Sequence, residues 1–119
     1  MLNNITTLNV HELKQKWDEN PSLILIDVRE TSEWQETNIP GAIHIPKDEI
    51  CTRIKDLIKD TNAPIYLHCR SGARSLHAAE SLQQLGFQQV FSIDGGIIEW
   101  EKSGYKVNKL LSAKSNPLG

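Results

Sequence analysis

Cys69 opens the run Cys69-Arg70-Ser71-Gly72-Ala73-Arg74-Ser75, and these residue types in this order describe a nucleophile inside an anion cradle. The preceding Ile65-Tyr66-Leu67-His68 reads as a buried strand, and the apolar spacing between Arg74 and Leu85 reads as a helix. Cys69 is therefore set between a strand end and a helix start, where the unpaired N–H groups of the first turn and the positive end of the helix dipole face it. Such surroundings lower a cysteine pKa from about 8.5 into roughly the 3.5 to 7.5 range, so that the thiolate is nucleophilic at neutral pH. Gly72 allows a positive φ, which lets the loop curl until several N–H groups point at one centre. Arg70 and Arg74 add two positive charges suited to an oxyanion such as thiosulfate and to an anionic persulfide. Cys69 is thus the candidate catalytic residue, with Arg70, Ser71, Gly72, Ala73, Arg74 and Ser75 as the candidate substrate-binding set.

The elements that must hold this loop follow from the rest of the chain. Asn9 three residues before Glu12 predicts a capped helix from about Val10 to Asp18. Leu23-Ile24-Leu25-Ile26 is continuous rather than alternating, the pattern of a strand buried on both faces, and it leaves Asp27 at its carboxyl end. Thr31 to Glu36 reads as a polar turn, Ala42 to Ile45 as a short strand ended by Pro46, and Asp48 as the cap of a helix with Ile50, Ile54, Leu57 and Ile58 on one face. Leu76, Ala79, Leu82 and Leu85 give the helix after the loop its apolar spacing, with Gly86 as its stop. Val90 to Ile93 predicts a further strand, Asp94-Gly95-Gly96 a turn, and Ile97, Ile98 and Trp100 a short helix. Strands alternating with helices predict an α/β fold: a three-layer α/β/α sandwich on a central parallel sheet of about five strands. Sites in such sheets form beyond the carboxyl ends of the strands, and Asp27, Cys69 and Asp94 share that edge.

Other reactive residues have plainer readings. Cys51 lies among the apolar residues of a helix, which favours packing over a second sulfur-carrying thiol. His68 points to the opposite face from Cys69 and reads as a packing residue. His11, His44 and His77 are scattered, and two cysteines assemble no zinc spacing, so no metal site is expected. Asp27 either braces the site edge or ends its strand, with bracing slightly favoured. Arg29 reads as the partner of Glu33 or of a neighbouring acid, Trp34 and Trp100 as core or rim packing, and Gly95 and Gly96 as the place where backbone passes close to the Cys69 loop.

His68 to Ser75 resembles the active-site loop of single-domain rhodaneses. Leu25 to Glu30 followed by Glu33-Trp34, Ile39-Pro40-Gly41-Ala42 followed by Ile45-Pro46, and Asp94 to Ile97 followed by Trp100 and Gly104 are similar to further motifs of that family, in order and at matching separations. The resemblance spans about Thr7 to Gly104. It implies a sulfurtransferase that takes a sulfane sulfur from thiosulfate or a similar donor as a Cys69 persulfide and passes it to cyanide, a thiol or a protein cysteine, without metal or organic cofactor. The family commonly has Gly-His where this chain has Thr37-Asn38; the turn should survive on Asn38 hydrogen bonds.

Composition agrees with one ordinary domain of 119 residues, placed at 1–107 with a C-terminal tail at 108–119. Hydrophobic residues at 39% and a net charge of -2 without a basic run exclude a nucleic-acid surface as the primary site. The longest apolar stretch is too short to cross a bilayer and no export signal is read, so a cytoplasmic protein with two reduced thiols is expected. Two rivals remain. Phosphatase chemistry requires a longer loop, with one more residue between cysteine and arginine, and an aspartate as general acid. A non-catalytic binding module would not need Cys69.

Overall fold

The computed structural model describes residues 5–110. Asn9 Oδ1 accepts the Glu12 N–H at 2.8 Å while Glu12 Oε1 accepts the Asn9 N–H at 2.9 Å, and behind this reciprocal cap the first helix, α1, runs Val10–Glu19. Before it lies a strand that the sequence pattern did not disclose, β1, Thr6–Leu8. The chain continues through β2 (Leu25–Asp27), α2 (Thr31–Glu36), β3 (Thr37–Asn38), β4 (Ile43–His44), a single 3₁₀ turn (Lys47–Glu49) and α3 (Ile50–Leu57). Then follow β5 (Ile65–His68), α4 (Ala73–Gln84), β6 (Val90–Ile93), α5 (Gly96–Lys102) and β7 (Asn108–Lys109).

Five strands form one sheet in the order β1-β6-β5-β2-β4, every pairing parallel, so the fold is the expected α/β class. Period-two alternation along the strands divides the core into two layers. Ile26, Ile65 and Leu67 pack with Ile50 and Ile54 of α3 and with Ala78, Ala79 and Leu82 of α4. Leu25, Tyr66 and Ile93 pack with Val10 and Leu13 of α1 and with Ile97 and Trp100 of α5 on the other side. Both faces of the central strands are thereby removed from water, which is why those segments carry unbroken apolar runs.

Three local expectations are corrected. Thr31 to Glu36 is a helix, not a turn; it buries no side chain, so no apolar periodicity marks it. The helix expected behind Asp48 starts at Ile50 after the 3₁₀ turn, and Leu57 is exposed rather than on its buried face. On α4 the buried face is Ser75, Ala78, Ala79 and Leu82, with Leu76 and Leu85 exposed. Small residues let that helix lie close on the sheet, so the larger leucines are the ones turned outward. At the far end, β7 pairs antiparallel with β3, and Leu110 N–H reaches Glu36 O at 2.9 Å. The tail set at 108–119 therefore begins with two paired residues, while 111–119 lie outside the described residues.

Candidate active site

β5 delivers Cys69 to the carboxyl edge of the sheet, and α4 begins four residues later. Between them Gly72, at φ +127°, turns the chain so that its N–H meets Cys69 Sγ at 3.1 Å. The Ser75 N–H reaches the same sulfur at 3.4 Å, and Ser75 Oγ lies 3.6 Å from it. The carbonyls of the loop point the other way. Cys69 O accepts from Ile97 N–H at 2.9 Å, Arg70 O from Ile98 N–H at 3.2 Å, and Ser71 O from Gly95 N–H at 3.2 Å. The first turn of α5 thus binds the acceptors of the loop and leaves its donors turned inward.

Gly96 makes that contact possible. A Cβ at this position would stand 2.3 Å from Cys69 O and 2.5 Å from Arg70 O. Gly95 has its own constraint, since a Cβ there would stand 2.5 Å from Glu99 Cβ. The structure accordingly places both glycines beside the loop rather than in a plain turn.

Burial alone would push the Cys69 thiol up, but the Ser75 N–H, the Ser75 hydroxyl and the N–H groups of Gly72 and Ser71 outweigh it and hold the thiol below its ordinary value. Cys69 is only 1% exposed, whereas Arg70, Ser71 and Ala73 around it are exposed. The sulfur is recessed under a polar rim, so slender reagents are favoured over bulky ones.

The two arginines have separate fates. Arg70 is exposed, and its guanidinium has no hydrogen bond or ion pair among the described residues. Arg74 makes a bidentate pair with Glu33 of α2, Nη1 to Oε1 at 2.6 Å and Nη2 to Oε2 at 2.9 Å. Glu33 Oε1 also accepts the Glu30 N–H at 3.0 Å. Arg74 thereby ties α2 to α4, and the unpaired cation of the rim is Arg70.

The Arg74 hydrogen bonds, with that of Glu30, hold the Glu33 carboxyl at about 2, against 4.5 ordinarily. A carboxylate so depressed contributes stability in full above the unfolded value near 4.5 and loses it as pH falls toward 2. Glu33→Gln should therefore cost about 1 kcal/mol at neutral pH, discounted for partial exposure. The difference from the native chain in urea unfolding should shrink as the pH is lowered through that window; a difference constant with pH would count against the pair.

The strand ends behind the loop carry a buried ionic group. Arg29, 3% exposed, places Nη2 at 2.7 Å from Asp27 Oδ2 and donates from the same nitrogen to Thr37 O at 2.7 Å. Asp27 Oδ1 accepts the Arg29 N–H at 2.9 Å. Asp27 thus braces its own strand-end turn, not the amides of the Cys69 loop, and Arg29 pairs with this neighbouring acid while Glu33 goes to Arg74. His68 lies between the two systems. Its Nδ1 donates to Cys69 O at 3.2 Å, burial pushes its pKa down, and Nε2 stands 3.5 Å from Asp27 Oδ2 without a hydrogen bond. We read it as a neutral packing residue.

Asn38, in place of the usual histidine, donates from Nδ2 to Trp34 O at 2.8 Å and accepts from Asn108 Nδ2 at 2.9 Å; the following turn closes through Ala42 N–H to Ile39 O at 3.1 Å. Trp34 stacks on His44, and Trp100 is buried with Nε1 donating to Lys106 O at 2.8 Å. Cys51 is a half-buried free thiol against the α3–α4 core. Among the described residues no group of three or more His, Cys, Asp or Glu could hold a metal ion, and no helix is long and apolar enough to cross a membrane. One buried residue near the sulfur escaped the sequence reading. Ser92 of β6 lies 2.8 Å from Ser75 Oγ, and its only signal is a hydroxyl inside the apolar run Val90-Phe91-Ser92-Ile93.

Comparison with known proteins adds four findings. The family model for the rhodanese-like domain matches residues 9–103. A sulfurtransferase of Allochromatium vinosum is 33% identical over 103 residues, covering 87% of this chain and 94% of that protein. A Bacillus subtilis protein named for a sulfur-carrier role, YrkF, is 38% identical over 96 residues, 81% of this chain, which spans only 51% of that protein's length. Among solved structures, the rhodanese-like domain of an Anabaena protein superposes with a TM-score of 0.80 at 22% identity, covering 92% of this chain and 83% of that one, a likeness of fold.

Proposed function

The chain belongs to the rhodanese-like domain family, and from that premise we propose that it is a sulfurtransferase that carries sulfane sulfur as a persulfide on Cys69, with thiosulfate or a similar compound as donor. The observation that carries this reading is the ring of inward N–H groups, Gly72 at 3.1 Å and Ser75 at 3.4 Å from Cys69 Sγ, under an exposed Arg70. Thiosulfate is a slender dianion whose outer sulfur can descend into the recess while its oxygens stay at the rim with Arg70. The Cys69 thiolate attacks that outer sulfur, a new S–S bond forms, and the S–S bond of thiosulfate breaks as sulfite leaves with the electron pair. The terminal sulfur then carries the negative charge inside the amide ring. In the second step cyanide, a thiol or a cysteine of a partner protein attacks that sulfur, and the Cys69 thiolate departs with the pair. Two displacements through one covalent intermediate give ping-pong kinetics. The loop is too short, and its ring too tight, to favour phosphatase chemistry.

Incubation with thiosulfate should add the mass of one sulfur atom to the intact chain. Peptide mapping should place it on Cys69, and cyanide should remove it with release of thiocyanate. No addition, or addition on Cys51, would overturn the assignment.

A further inference from the structure

Ser92 is 1% exposed, and a hydroxyl so buried is costly unless it is hydrogen-bonded. Its side chain bonds to Ser75 Oγ at 2.8 Å. Ser75, wholly buried at the start of α4, holds that oxygen 3.6 Å from Cys69 Sγ and 3.1 Å from Gly72 O. Building on the sulfur-transfer reading above, we propose that Ser92 is a positioning residue: by donating to Ser75 Oγ, it frees the single Ser75 hydroxyl proton to follow the charge on the Cys69 sulfur.

The donors and acceptors account for this in both states. With Cys69 as a thiol, S–H and the Ser92 O–H fill the two lone pairs of Ser75 Oγ, and the Ser75 proton goes to Gly72 O. With Cys69 as a thiolate, the sulfur becomes an acceptor and the Ser75 O–H turns to it. Gly72 O is not orphaned by the turn, because it also accepts the Leu76 N–H at 3.1 Å. Ser92 still donates to Ser75 Oγ, which strengthens the Ser75 O–H as a donor. When Sγ bonds to the donor's outer sulfur the charge moves outward and the Ser75 proton can return to Gly72 O; when the acceptor breaks that bond, the electron pair returns to Sγ and the proton follows. Ser92 itself never touches the sulfur.

Other groups bearing on the ionisation stay in place if Ser92 is changed. Arg70 stands exposed at the rim, Arg74 of α4 is held by Glu33, His68 of β5, its pKa pushed down by burial, turns Nδ1 to the Cys69 carbonyl, and Asp27 and Arg29 pair with one another beyond it.

The test follows iodoacetamide alkylation of Cys69 against pH, read on its own peptide, with no sulfur donor present. Ser92→Ala should raise the midpoint of the profile by about half a unit to one unit, the size of one ordinary net hydrogen bond, here made to Ser75 Oγ and not to the sulfur itself. Ser92→Thr should restore most of the native midpoint. Ser75→Ala should raise it at least as far, and adding Ser92→Ala to Ser75→Ala should change little, since Ser92 acts through Ser75. An unshifted midpoint in Ser92→Ala, a shift that Ser92→Thr leaves standing in a natively folded chain, or full additivity in the double variant would overturn the proposal. Because alkylation needs no donor, failure of thiosulfate to label Cys69 would remove the proposed activity without touching this result.

Discussion

Cys69→Ser is expected to abolish thiocyanate formation from thiosulfate and cyanide, a loss of roughly ten-thousandfold or more in turnover, while leaving the fold in place. The reason is ionisation. Inward N–H groups at 3.1 and 3.4 Å lower the pKa of a thiol, which ordinarily ionises only about one to two units above neutrality, and so favour its thiolate, but the same dipoles cannot bring an alcohol within reach of neutral pH. An oxygen also offers no stable disulfide-like bond in which to store the transferred sulfur. Stability should hardly change, because serine keeps an acceptor for the Gly72 and Ser75 donors and fills nearly the same space. Thiocyanate release and urea unfolding, measured on the same preparation, separate these effects. Residual turnover above about one hundredth of the native rate would sink the assignment. It would direct attention to Cys51 on α3.

The elements around this site divide sharply by what their residues touch. β5 and β6 were legible because both of their faces are buried, which forces an apolar residue at nearly every position. The Cys69 loop was legible because a glycine, a cysteine and two arginines are costly to assemble without a use. β1 was not, since Thr6-Thr7-Leu8 is short, largely polar and paired on one side alone, with β6 at the sheet edge. β3 and β7 escaped for the same reason, as Thr37 and Asn38 pair with Lys109 and Asn108, which lie far along the chain where no local pattern connects them. The charge partners were half legible. Arg29 was expected to take an acid, but that Asp27, two residues back, is within its reach depends on the turn at the strand end, and this releases Glu33 for Arg74. Ser92 was invisible because a single hydroxyl in a strand gains meaning only from the atom opposite it.

Gly96→Ala should be the most damaging glycine-to-alanine change among the described glycines. Its φ of +52° carries a penalty for any residue with a Cβ, about 1 kcal/mol. The larger cost is space. The added carbon would stand 2.3 Å from Cys69 O, 2.5 Å from Arg70 O and 2.6 Å from Arg70 C, and these are backbone atoms that no rotamer change can move aside. Relief requires α5 to withdraw, which breaks the bonds from Ile97 and Ile98 N–H that hold the loop carbonyls away from the sulfur. Strain and overpacking together put the destabilisation at roughly 2–5 kcal/mol, a fall in melting temperature of about 10 °C or more. Gly86→Ala provides the comparison. Gly86 also has a positive φ, +104°, but a Cβ there meets nothing within 4 Å, so its variant isolates the conformational cost from the collision. Thermal unfolding of the two variants, together with the pH profile of Cys69 alkylation, should show Gly96→Ala less stable than Gly86→Ala and alone in raising the Cys69 profile. Equal losses in both, with the profile unmoved, would mean that the approach of α5 does not orient the amide ring.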